Sequence, residues 1–173
     1  HMTCGLSVPR QNGKNALLEI RELFGMVLLG EKILHSAHEV KTAQAHYRRF
    51  KHFFGNKAND ESADFPELNR LVTTVRNVNG QESITLTNGA ELRVIARSKS
   101  SGRGFTADVI VFDEAQELTE DAIEAMLSTG SAGDLGNSQI LYTGTPPGPN
   151  ASGAVFTRQR VQGLSEHPGP MCW

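Results

Sequence analysis

Three short segments, far apart in a chain of 173 residues, carry side chains whose types and spacing could do chemistry together. The first is VPRQNGKN at 8–15. Gly13 permits close backbone approach and Lys14 opens the apolar stretch that follows. Loop amides, an ammonium and a helix amino terminus would then face one anion, with the spacing of a phosphate loop. Val8 stands where such loops usually carry their first glycine, and Asn15 where they carry the Ser or Thr that touches magnesium. An ordinary Asn-Gly turn is the simpler alternative. The second segment is DVIVF at 108–112 running into Asp113 and Glu114. An apolar strand ending in two carboxylates suits Asp113 to hold hydrated Mg²⁺ and Glu114 to polarise an attacking water, although both acids could equally cap a following helix. The third is QILY, which ends in Thr143, Gly144 and Thr145 and could also be a simple turn. In an open parallel sheet ligands bind beyond the carboxyl ends of the strands, so these segments can meet in one crevice and hydrolyse a nucleotide there.

The elements that must position them are legible as alternating strands and helices. Residues 4–8 read as a strand, and the apolar stretch Ala16 to Leu29 as a helix capped by Gly30. Leu17, Leu18, Ile20, Leu23, Phe24, Val27 and Leu28 cover most of that helix's circumference, which predicts that it is largely buried. Ile33 to Ala37 is a second strand. Val40, Ala43, Tyr47, Phe50 and Phe54 then recur at helical steps up to Gly55, opposite a solvated face of Lys41, Arg48, Arg49, Lys51 and His52. Asn56 to Pro66 reads as a surface loop. Leu71 to Val78, Glu82 to Thr87 and Glu91 to Arg97 alternate around Asn79-Gly80 and Asn88-Gly89, which predicts an antiparallel meander at one sheet edge. Asp108 to Phe112 and Ile140 to Thr143 flank an amphipathic helix over 119–128, the pattern of parallel crossover units in an α/β fold. From Pro146 onward the chain is Gly/Pro-rich without periodicity and is expected to be a loose tail over 147–173, after a single domain at 3–146.

Composition narrows the function classes. Seventeen basic and nineteen acidic residues leave a net charge of −2, so no global positive field draws the chain to nucleic acid. No apolar run approaches a membrane span and no signal peptide opens the chain, so a cytoplasmic protein is expected. Cys4 and Cys172 sit at opposite ends without a CxxC pattern and are expected to be ordinary reduced thiols. His1 before Met2 looks like the scar of a removed tag.

Over residues 5–146 the sequence resembles the ATPase domain of the large terminase subunit, the DNA-packaging motor of tailed bacteriophages. Pro9, Arg10, Gln11, Asn12, Gly13 and Lys14 match its phosphate loop, VIVFDEAQ at 109–116 looks like its Walker B strand, and TGTP at 143–146 like its coupling motif. The resemblance implies a RecA-like P-loop NTPase of the ASCE class: a mainly parallel sheet flanked by helices, with an antiparallel edge meander. It also implies ATP and Mg²⁺ as cofactors, with Pro9 to Asn15 around the nucleotide, Asp113 and Asn15 at the metal, Glu114 catalytic, and Thr143 to Thr145 coupling. SSGRGF at 100–105 fits as well, which makes Arg103 a candidate finger for a neighbouring subunit's nucleotide, with Arg10 a rival acting in cis. In a full-length parent the implied partners are double-stranded DNA, the portal, the small terminase subunit and further copies in a ring, in the bacterial host cytoplasm. The family's upstream adenine-binding segment and downstream nuclease domain have no counterpart here, so the reading is of a truncated ATPase domain that does not cut DNA. Two other readings are the first core domain of a helicase, from the DEAQ string, and a non-hydrolytic prophage remnant that acts only as a binding module.

Overall fold

In the computed structural model, residues 2–9, 11–97, 105–130, 135–136, 138–148 and 153–173 are described. The chain runs β1 (Met2–Ser7), α1 (Lys14–Phe24), β2 (Lys32–Ala37), α2 (Val40–Phe54), α3 (Pro66–Asn69), β3 (Val72–Arg76), β4 (Glu82–Leu86), β5 (Glu91–Ala96), β6 (Val109–Phe112), α4 (Glu120–Gly130), β7 (Gln139–Gly144), α5 (Ala154–Gly163) and β8 (Met171–Cys172). All strands join one eight-stranded sheet in the order β3-β4-β5-β2-β6-β7-β1-β8. β1, β7, β6, β2 and β5 are parallel neighbours, and the meander β3-β4-β5 closes one edge antiparallel, as the α/β reading predicted.

Both sheet faces are covered, which is why the central strands read as unbroken apolar runs. Ile33, Val109 and Val111 join Leu18, Met26, Tyr47, Phe50 and Phe54 beneath α1 and α2. Leu34, Ile110 and Phe112 point the other way, into a second cluster with Leu118, Met126, Tyr142 and Phe156. Register follows from this alternation, because a one-residue slip would exchange the two sets.

Two expectations fail. The predicted helix is not largely buried: Leu18 packs inward, whereas Leu17, Ile20 and Phe24 on α1 and Leu28 just beyond it are exposed, Ile20 by 65%. A helix lying on a sheet offers only one stripe to it, so apolar content on the far side does not bury it. Nor are the described residues 153–173 a loose tail. α5 inserts Val155 and Phe156 into the second cluster, and β8 adds a parallel strand beside β1 that sets Cys172 level with Cys4. Two buried anchors and a two-residue strand leave no periodicity to detect, and the helix itself shows none.

A charged group that the apolar pattern hid lies between α1, α2 and β2. Glu22 is fully buried and accepts hydrogen bonds from His35 Nδ1 and His46 Nε2, both at 2.7 Å. The two imidazoles stack with centroids 3.6 Å apart. Burial pushes the Glu22 carboxyl up, but the two histidines outweigh it and hold the group down at about 2. An ionised carboxylate only accepts, so each facing ring nitrogen carries its hydrogen. These three residues also bring donor atoms within 4.8 Å of one another, as a metal site would. Nearly parallel rings, 12° apart, cannot both aim lone pairs at one ion, and the two hydrogen bonds account for the arrangement without one.

This cluster makes the fold acid-sensitive. His46 is pushed down by burial and by His35, so it stays neutral in the fold, keeping only the Nε2 hydrogen it gives Glu22, while an unfolded histidine takes up a second proton below about 6.5. Glu22 stays ionised in the fold from its ordinary 4.5 down to about 2, so its contribution is complete above 4.5 and disappears as pH falls toward 2. Urea midpoints measured against pH should decline below about 6.5 and more steeply below about 4.5. Glu22→Ala, which strands two buried N–H donors, should cost about 3 kcal/mol at pH 7.

Candidate nucleotide site

Because β1, β7 and β6 are parallel and adjacent, their carboxyl ends share one rim: Ser7 lies level with Gly144, and Phe112 with Tyr142. The segments that follow these strands therefore meet. Val8 N–H donates to the Gly144 carbonyl at 3.1 Å, and the loop then turns through Gln11 and Gly13 in left-handed conformations at φ 62° and 74°. No atom lies within 4 Å of where a Cβ on Gly13 would be, so glycine is needed for its φ, and the space above it is open. Asn12 steadies the turn, its side-chain amide donating to the Pro9 carbonyl at 3.3 Å. Lys14 opens α1 directly behind Gly13.

The decisive contact joins the loop to β6. The Lys14 ammonium forms a direct ion pair with Asp113 Oδ1. The same oxygen accepts the Thr143 hydroxyl at 3.0 Å and the Glu114 N–H at 2.8 Å. Burial alone would push the Asp113 carboxyl up; His35, Lys14 and the Glu114 N–H hold it below the usual carboxylate range. Asp113 is 3% exposed, so its charge is aimed by the protein and little screened by solvent.

Glu114 takes a left-handed backbone at φ 53°, a costly conformation for a non-glycine residue. Its carboxylate accepts from the His38 N–H at 3.2 Å and the Thr42 hydroxyl at 3.4 Å, where α2 begins. Arg97, just past β5, holds that strained turn. Its guanidinium donates to the carbonyls of Ser36 (3.0 Å), Asp113 (2.6 Å) and Glu114 (3.0 Å). Burial pushes its pKa down to about 10 despite the nearby acids, and it remains a cation.

These groups border a cleft of about 400 Å³ lined by Pro9, Gln11, Asn12, Gly13, Lys14 and Asn15 on one side. Thr42, Asp113, Glu114, Gln116 and Thr145 line the other. Thr143 lies buried beneath it, and Gly144 packs where a Cβ would press on Gln116 and Phe156. Gln116 accepts the Thr145 N–H at 3.2 Å, linking the turn after β6 to the turn after β7. Every sequence-derived site residue thus gathers at one rim except Arg10 and Arg103, which lie outside the described residues. Sequence reasoning missed Arg97, Thr42, His38 and Gln116. Gln116 stands within the DEAQ string, but an arginine after a strand or a threonine in a helix carries no signal of its own.

No family model and no curated protein sequence matches the chain. Solved structures do. The large terminase of bacteriophage HK97 superposes with a TM-score of 0.77 at 17% identity over 98% of this chain and 34% of that one. The large terminase ATPase domain of Thermus phage P74-26 gives 0.58 at 20% identity, over 95% of this chain and 65% of that one. A large terminase from a thermophilic bacteriophage in complex with ADP gives 0.51 at 14% identity, over 86% and 34%. The chain has the fold of phage large terminase ATPase domains, and it spans about a third of the length of the whole terminases.

Arg97→Ala strips three carbonyls of a donor and should lower stability by about 2–4 kcal/mol in chemical denaturation. Arg97→Lys should recover less than half of that loss, because a single ammonium cannot reproduce the planar fork across three acceptors.

Proposed function

We propose that this chain is the ATP-binding and ATP-hydrolysing domain of a phage large terminase. The observation that carries the reading is the Lys14–Asp113 pair with Glu114 beside it at the rim of one open cleft. The residues fit a magnesium-bound triphosphate: a helix amino terminus behind a left-handed glycine, an ammonium, and a carboxylate kept ionised. ATP bound with Mg²⁺ would supply the phosphoanhydride to be cleaved and the divalent charge that steadies it.

Each side chain then has a task. Lys14 Nζ, which Asp113 neutralises here, would hold the phosphate oxygens, and Asp113, oriented by the Thr143 hydroxyl, would hold the metal. The side chain of Asn15, beside Lys14 in the first turn of α1, offers an amide oxygen where the usual loops offer a hydroxyl. Glu114, set on a rigid turn by Arg97, orients water and takes its proton on a carboxylate oxygen. Thr145 and Gln116 connect the nucleotide side to β7, which supports a coupling role for Thr143 to Thr145. Arg103 completes a neighbour's site in an assembled ring, with Arg10 the alternative in cis. In a full-length parent the domain powers double-stranded DNA into a procapsid through the portal, together with the small subunit, in the host cytoplasm; this part rests on the PRQNGK, DEAQ and TGTP resemblance. Among the described residues no helix is long and apolar enough to cross a membrane.

Calorimetric titration with ATP and Mg²⁺ tests the reading. Lys14→Ala should weaken binding by about 100-fold or more, and equal affinity for the parent and the variant would refute the assigned cradle. Glu114→Gln should bind within a few-fold of the parent yet hydrolyse about 10²–10⁴ times more slowly. Turnover of the isolated chain should be slow from the outset, since a finger supplied by a neighbour contributes roughly 10³–10⁵.

A further inference from the structure

The two cysteines lie at opposite ends of the sequence, yet β8 pairs with β1 in parallel register so that Cys172 stands directly beside Cys4. Neighbouring strands are about 4.8 Å apart, which lies inside the Cα separation that a disulfide spans. Side chains at one register level leave the sheet on the same face, so the two thiols project from the same side of β1 and β8. Cys172 is exposed, whereas Cys4 is half-buried. Several contacts keep the end of the chain seated. Thr3 N–H donates to the Pro170 carbonyl at 3.0 Å, and the Trp173 ring packs on Phe156 with centroids 5.2 Å apart. Gly5 leaves room for that indole, since a Cβ there would collide with it.

We infer that Cys4 and Cys172 are a redox-modifiable pair that closes into an intramolecular disulfide under a low-molecular-weight disulfide such as oxidised glutathione. The exposed Cys172 thiolate attacks one glutathione sulfur, releasing one glutathione thiolate and leaving a mixed disulfide on Cys172. The Cys4 sulfur, once deprotonated, attacks the Cys172 sulfur, forms the Cys4–Cys172 bond and expels the second glutathione. Two protein thiols are oxidised and one glutathione disulfide is reduced to two thiols, the two protons lost by the cysteines ending on the two departing glutathione sulfurs. Burial and the neighbouring Cys172 push the Cys4 thiol up, which suits the order with Cys172 attacking first. The bridge ties the final strand to β1, the strand that leads into the phosphate loop. It closes a loop of nearly the whole chain, the case in which a cross-link restricts the unfolded state most.

The intact chain is incubated with excess oxidised glutathione and then alkylated under denaturing conditions. Mass spectrometry should find a monomer lighter by two hydrogens, no alkylated cysteine, and one cross-linked peptide pair containing Cys4 and Cys172. Cys4→Ser should instead retain glutathione on Cys172. The oxidised chain should melt about 10 °C or more above its reduced form. Two free thiols, glutathione persisting on the parent chain, bridges between separate chains, or a bridged monomer with an unchanged melting temperature would each overturn the proposal.

Discussion

The site depends on one buried charge pair between residues that the sequence separates widely. Asp113 cannot remain ionised at 3% exposure without compensation, and Lys14 reaches it because the loop after β1 and the end of β6 open onto the same rim of the sheet. β7 runs between those strands and contributes the Thr143 hydroxyl to the same carboxylate oxygen. The sheet order is therefore part of the electrostatics: an arrangement that moved β1 away from β7 would separate Lys14 from Asp113.

Around this pair the structure spends conformational energy where the chemistry needs direction. Glu114 is held in a left-handed turn, and the strain persists because Arg97 binds the carbonyls on either side of it. A buried guanidinium with several acceptors is rigid, so the turn is rigid as well. The carboxylate projects toward the start of α2, where the His38 N–H and the Thr42 hydroxyl fix it. On the opposite side, Glu22 locks α1 to α2 and β2 through two histidines. The helix that carries Lys14 is thus tethered by charge at its first turn and again two turns later. Each anchor is polar and enclosed, a combination that specifies position more sharply than apolar packing alone.

Much of the fold was legible. The alternation of β3, β4 and β5 around two Asn-Gly turns marked the meander, and the runs at 33–37, 109–112 and 140–143 read as buried parallel strands because helices cover both faces. The loop at 8–15, the paired acids and the TGT turn were legible as polar groups placed at strand ends, and the structure brings them to one rim. α1 was misread as largely buried because hydropathy reports what a side chain tolerates, not which side the sheet lies on. α5 and β8 were missed because two anchors and a short ladder have no period.

Local sequence by itself determined the elements up to β7 and the reactive groups, since turn chemistry, hydrophobic period and side-chain type act over a few residues. Tertiary structure alone decided what those groups meet. It set Lys14 on Asp113, Arg97 on the carbonyls behind Glu114, Glu22 between two histidines and Cys172 beside Cys4. Each of these partnerships follows from strand order and register, which minimise the free energy of the whole sheet and have no signature in any single stretch of chain.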